Sequence, residues 1–235
     1  MAVAIVLLVL GALMSSIFIV SKVINYSSKT IIFKAIASLF FVALGVYCAL
    51  IIPGHTSFKM LIVLGLLFGL LGDVFLGYKY IAKNKKALWI LAGLFTFLFG
   101  HLFYIIALFT EYYIAGHAWF IVLPFVTSAV LSVVYIFIAK RIGVDFGKLL
   151  PFGLFYLACL TSMLSTAFYM ALLHNFSTVT LVMILGGALF FVASDFMLTG
   201  AYFKPGQRPK AYLAVYSVCY YLAQFIIAFS LFFLV

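Results

Sequence analysis

The chain has 235 residues, 69% of them hydrophobic and 8% charged, with a formal net charge of +10. A soluble surface needs roughly a quarter charged residues, so a soluble domain is excluded. The alternating polarity of a membrane barrel is absent too, which leaves an all-α bundle whose backbone amides are satisfied within each membrane-crossing segment.

In chain order, apolar runs separated by polar or basic breaks predict eight transmembrane helices, at about 2–20, 31–52, 59–78, 87–110, 118–139, 149–173, 178–200 and 211–234. Each has about the 20 residues that a bilayer requires, and together they form a single integral membrane domain, residues 1–235. No basic residue precedes the first run, so it reads as a membrane helix rather than a cleaved signal. Lys22, Lys29 and Lys34 lie in or beside the first loop, and Lys79, Lys83, Lys85 and Lys86 in the third. Lys140, Arg141 and Lys148 belong to the fifth and Lys204, Arg208 and Lys210 to the seventh, with only Lys59 on the opposite side. The positive-inside rule therefore puts the basic loops in the cytoplasm and both termini outside it, whether the host is a bacterial cell membrane or a eukaryotic endomembrane. Basic loops of this kind are topology signals first and anionic-lipid contacts second, so membrane lipid is the expected partner and nucleic acid is not. Cys48, Cys159 and Cys219 fall within apolar spans without metal-type spacing and read as packing residues; no metal and no cofactor is expected.

Two of the four acidic residues lie inside spans. Asp73 sits in GLLFGLLGDVFLGYKY (65–80) and Asp195 in GALFFVASDFMLTGAY (187–202). An acid at the centre of a membrane helix costs about 3 kcal/mol on insertion scales, so such residues face protein or water and usually have a task. At a constant offset of 122 residues, Gly65 aligns with Gly187, Phe68 with Phe190, Asp73 with Asp195 and Leu76 with Leu198. Ile105-Ile106-Ala107 answers Ile226-Ile227-Ala228 at an offset of 121. Four spans separate the copies, which suggests a parallel 4+4 internal repeat; the competing reading is that a small apolar alphabet matches itself cheaply.

Asp73 lies about five residues from the end of span three, Asp195 somewhat deeper in span seven and Lys34 near the start of span two; at ~1.5 Å per residue all three reach the inner half of the membrane. His101 in span four and Tyr220 and Gln224 in span eight fall nearer the middle or outer half, as an upper wall of the same cavity. Gly65, Gly69, Gly72, Gly186 and Gly187 permit close helix approach around the acids. Each polar residue also has a structural reading. Lys34 is placed to snorkel, His101 to be a satisfied core histidine, and Tyr220 and Gln224 to act as interhelical hydrogen-bond glue. For the two acids the structural alternative is a buried ion pair, against which stands the shortage of nearby bases to neutralise both.

The strings FGLLGDVFL (68–76), FLFGHLFYI (97–105), GALFFVASDFML (187–198) and YYLAQFII (220–227), in this order on eight spans, resemble the YhhN family of membrane proteins, whose characterised members are lysoplasmalogenases. The resemblance covers most of the chain. Lys34 fits the lysine that opens the family's second span, although Ala35 stands where a proline often follows, a departure that bears on the helix start more than on chemistry. What the resemblance implies is hydrolysis of the vinyl ether of a lysoplasmalogen, a lysophospholipid, to a fatty aldehyde and a glycerophospho-alcohol.

Vinyl ether hydrolysis needs an acid to protonate the outer alkene carbon and an anion to stabilise the oxocarbenium ion that water then captures. Two carboxyls in one low-dielectric cavity suit this, because burial and mutual repulsion keep one protonated while the other stays charged. The expected catalytic pair is Asp73 and Asp195, in roles left open. His101 or Tyr104 would position water or the leaving oxygen, with Lys34 at the lipid phosphate and Ser194, Tyr220 and Gln224 in support. Rival chemistries are weaker: a zinc amidase needs several intramembrane histidines, and Ser194 lacks the glycines of a nucleophile elbow. The serious alternative is a non-enzymatic carrier in which the paired acids bind a proton or cation and move a small solute or lipid. Head-group preference, chain length and oligomeric state are left open.

Overall fold

A computed structural model describes residues 1–206 and 208–234, with the side chain of Lys83 outside the described set. Eight α-helices form: α1 Ala2–Ile24, α2 Ser28–Ile51, α3 Thr56–Tyr78, α4 Lys86–Tyr112, α5 Trp119–Arg141, α6 Leu150–Leu173, α7 Val179–Phe203 and α8 Lys210–Ser230. Short 3-10 turns, Lys83–Lys85, Gly147–Leu149 and Leu231–Phe233, extend the ends of α4, α6 and α8. All eight are long and apolar enough to cross a membrane, and among the described residues there is no strand. The chain is a polytopic membrane protein.

Helices α1, α4, α5 and α7 run past the C-terminal ends of the apolar stretches that predict them, α2 and α3 start before theirs, and α8 stops short at Ser230, because intrahelical hydrogen bonding does not end where polarity changes. At the start of α2, the Ser27 amide donates to Thr30 Oγ1 at 3.1 Å, a capping contact that begins the helix before its first apolar run. Pro151 falls in the first turn of α6, where its missing amide hydrogen costs nothing. Gly54 and His55 adopt left-handed backbone angles (φ +71° and 50°), which ends α2 and turns the chain into α3. One consequence bears on the site. Lys22 lies in the last turn of α1 rather than in a loop, and Lys34 is well inside α2.

Packing is closest between α3 and α4 and between α7 and α8. Helix α4 also packs on α6, α8 on α1 and α2, and α5 mainly on α6. In a bilayer, lipid is as apolar as leucine, so helices associate where small residues let backbones approach. Gly65 and Gly187 do this at matched positions. A Cβ at Gly65 would run into the Tyr104 ring of α4; one at Gly187 would lie 2.7 Å from Ile227 Cγ1 and 3.2 Å from the Ala223 carbonyl of α8. The proposed 4+4 repeat would explain this likeness. The core between these pairs is filled by Phe41, Leu44, Leu66, Leu108, Met163 and Phe191. Cys48 and Cys159 are buried free thiols, and Cys219 is half-buried.

The glycine contacts predict a contrast that thermal unfolding in detergent will read. Gly65→Ala forces the Tyr104 ring to move and should cost about 1–3 kcal/mol. Gly186→Ala, which meets open space, should stay within about 0.5 kcal/mol. Equal melting temperatures for the two variants would contradict this packing.

Candidate active site

Lys22, Lys34, Asp73 and Asp195 lie in the helix portions nearest the α1–α2, α3–α4 and α7–α8 connections. Asp73, 1% exposed, projects from the last third of α3. Lys34 Nζ lies 2.8 Å from Asp73 Oδ1. Ser38 Oγ donates to Oδ2 at 2.5 Å and Tyr220 Oη at 2.7 Å. Lys34 and Ser38 are four residues apart on α2 and so share a face, as Tyr220 and Gln224 do on α8. Three donors, one of them cationic, thus converge on one carboxyl group; this is the donor set that suits a carboxylate, which only accepts. Behind Tyr220 the network continues. Gln224 Nε2 donates to Tyr220 Oη at 3.1 Å, and Tyr104 Oη donates to Gln224 Oε1 at 3.2 Å. Gly69 makes room for it, since a Cβ there would stand 2.5 Å from Gln224 Nε2.

Asp195, on α7, is also buried but has different company. Tyr156 of α6 donates its hydroxyl to Oδ2. Among the described residues no basic side chain lies within ion-pair distance of Asp195. With its one hydrogen committed to Asp195, the Tyr156 oxygen accepts from His101 Nε2 at 3.4 Å, and His101 Nδ1 is buried without a partner. Ser194 Oγ donates to the Tyr216 carbonyl at 2.9 Å, tying α7 to α8.

Two small cavities meet at these acids. A polar chamber of about 40 Å³ is lined by Lys22, Lys34, Asp73, Asp195, Tyr216 and Tyr220, among others. An apolar chamber of about 50 Å³ lies between α4, α5, α6 and α7, walled by Leu94, Tyr135, Leu154 and Leu157 and reaching Tyr156. Leu76, Phe97, Asp195, Leu198 and Tyr202 border both. Asp195 therefore stands in the partition between a charged space and a hydrocarbon one. Each space has room for a few waters, so a lipid must part the helices to occupy them.

The sequence-predicted residues distribute plainly over this arrangement. Asp73, Asp195, Lys34, Ser194 and Tyr220 line the polar chamber. Gln224 and Tyr104 stand one and two hydrogen bonds behind Tyr220, and His101 reaches Asp195 through Tyr156. Three residues escaped sequence reasoning: Ser38, Lys22 and Tyr156. Tyr156 had a usable signal, since the offset of 122 that relates Asp73 to Asp195 also carries Lys34 onto Tyr156. The two acids thus have counterpart partners, an ammonium for one and a phenol for the other. Lys79, at the end of α3 and 4% exposed, rests against the ring of Tyr202. Burial, then the positive charges of Lys34, Lys22 and Lys86, push it well below the ordinary lysine value. Among the described residues, no three His, Cys, Asp or Glu side chains come together as a metal site would require.

The family model for YhhN matches residues 29–231, a span that holds α3 to α8 whole and all but the first residue of α2, and leaves out α1. No curated protein and no solved structure matches the chain.

The pairing of Asp73 is open to a double-mutant cycle. Lys34→Met leaves a buried carboxylate without its cation and should cost about 3–5 kcal/mol, whereas Lys34→Met combined with Asp73→Asn should recover most of that loss. Unfolding followed by tryptophan fluorescence in detergent measures both; equal losses would mean that the ion pair does not hold α2 to α3.

Proposed function

The chain belongs to the YhhN family, and from that premise we propose that it is a lysoplasmalogenase-like hydrolase of the vinyl ether bond in lysoplasmalogens. The observation that carries the reading is the unequal partnering of two carboxyls that face one secluded chamber. Asp73 has a cation and two hydroxyl donors; Asp195 has a phenol and no cation. That difference supports separate roles. Asp195, in the partition between the polar and apolar spaces, is the proton donor, and Asp73 is the fixed anion.

In this scheme the alkenyl chain occupies the apolar chamber and the glycerophospho group the polar one. Asp195 delivers its proton to the outer alkene carbon, and the remaining carbon–oxygen unit becomes an oxocarbenium ion. Asp73 stabilises that cation electrostatically, an effect strengthened by the low dielectric of the site. A water held in the polar chamber adds to the cationic carbon and gives up a proton to the carboxylate that Asp195 has become, which restores the acid. The hemiacetal then collapses to a fatty aldehyde and a glycerophospho-alcohol, so that one water is consumed for each ether bond cleaved. Tyr156, backed by His101, orients the Asp195 carboxyl. Tyr220, backed by Gln224 and Tyr104, orients Asp73. The scheme uses side chains alone and invokes no cofactor. By the positive-inside rule the basic end faces the cytoplasm, and products leave from there.

Purified protein in detergent, given an alkenyl lysophospholipid with aldehyde release followed by mass spectrometry, tests the reading. Asp73→Asn and Asp195→Asn should each lower the rate by about 10²-fold or more, as loss of an acid–base group typically does. Tyr156→Phe should lower it less and keep the fold. Full aldehyde release from both aspartate variants would sink the proposal. Proton-coupled exchange of solute across liposomes without any turnover would favour the carrier reading in its place.

A further inference from the structure

Among the described residues, Lys22 is the chamber-lining cation that the mechanism leaves unused. It reaches the polar chamber from the last turn of α1 and is half-buried. Its Nζ donates to Ser217 Oγ at 2.7 Å and lies 3.9 Å from the centroid of the Tyr216 ring. No carboxylate among the described residues is within ion-pair distance of it. An ammonium drawn into a membrane protein without a counter-ion is costly, and such residues mark places where a charged ligand completes the site. A second observation points the same way. Tyr216, 4% exposed, lines the same chamber, and its hydroxyl is a buried group without a hydrogen-bond partner.

Charge balance then selects the ligand. Within the chamber Lys34 neutralises Asp73, and the proposed scheme gives Asp195 a proton. Lys22 is left as one uncompensated positive charge beside an unused hydroxyl. A phosphodiester carries one negative charge and accepts hydrogen bonds at its free oxygens, which matches both.

We propose that Lys22, anchored by Ser217 and joined by the Tyr216 hydroxyl, forms a subsite for a singly charged phosphate ester at the mouth of the polar chamber. The subsite deepens the hydrolase reading, on which it rests for the ligand being a lipid, by naming the group that seats the head. It lies on α1 and α8, and its cation falls outside residues 29–231 that carry the family match, whereas Tyr216 and Ser217 fall inside it.

Binding of two unreactive saturated-ether ligands separates the two ideas, because neither ligand can be cleaved. One is a 1-alkyl lysophosphatidylcholine and the other the 1-alkylglycerol of the same chain, which lacks phosphate; both are titrated against the full-length protein in detergent by calorimetry. The native protein should prefer the phosphate-bearing ligand by about tenfold or more, the scale of a charge-assisted hydrogen bond. Lys22→Met should erase the preference and leave alkylglycerol binding unchanged. Lys22→Arg should retain most of it, and Ser217→Ala, a milder change, should reduce it while the protein keeps its melting temperature. A native protein that does not discriminate, or a Lys22→Met variant that still does, overturns the subsite. Should inorganic phosphate at millimolar concentration displace the lipid from native protein but not from Lys22→Met, the subsite stands and its source extends to soluble phosphate. Should the preference follow Lys22 as expected while alkenyl lysolipid is never cleaved, the subsite stands and the hydrolase reading falls.

Discussion

The bundle is arranged around one ion pair, Lys34 of α2 with Asp73 of α3, buried beside a hydrophobic core. In the membrane neither charge has water to return to, and each is tolerable only in the presence of the other and of further donors. Ser38 and Tyr220 supply those donors, which commits α2, α3 and α8 to a common register. Rotate any of the three by a residue and a buried charge is stranded. Hydrocarbon packing is forgiving of small slips; this contact is not, and it fixes where the chamber lies. The glycines at the α3–α4 and α7–α8 crossings then bring the remaining walls in close enough to exclude lipid.

At the 122-residue offset Asp195 answers Asp73 but has no cation within ion-pair distance among the described residues. The same offset sets Tyr156 against Lys34, one phenolic hydrogen in exchange for an ammonium. The two acids are therefore electrostatically unlike, and in the proposed scheme the difference is what a general acid and a stabilising anion require of each other. A bundle with a lysine at both positions would hold two neutralised carboxylates and have no proton to give; one with a tyrosine at both would leave both acids without a counter-charge.

How much of this could be read from the residues alone follows from what stands out against an apolar background. Eight helices and the acids Asp73 and Asp195 are legible because ionisable groups are scarce in runs long enough to span a bilayer. Lys34 is legible for the same reason. Tyr156 is not, since a phenol among 15 tyrosines and 28 phenylalanines carries no contrast, and only the internal offset singles it out. Ser38 is hidden likewise, because a hydroxyl on a membrane helix commonly bonds back to its own helix, and the Lys34 carbonyl, 2.9 Å from Ser38 Oγ, is such an alternative acceptor. Lys22 reads from the sequence as a loop residue because hydropathy ends where polar side chains begin, whereas α1 continues to Ile24 and draws the lysine in. Helix ends and apolar runs set by composition are different boundaries, and Lys22 lies in the strip between them.

The shared wall of the two chambers has a consequence for selectivity. Because the charged space gives way to the oily one at Asp195, an amphiphile bound as proposed would settle with its own change of polarity at that plane. Such a site would work as a depth gauge: it would measure how many bonds separate the head from the first methylenes. Molecules whose reactive linkage sits a bond or two away from their polar boundary would bind as well and be left intact.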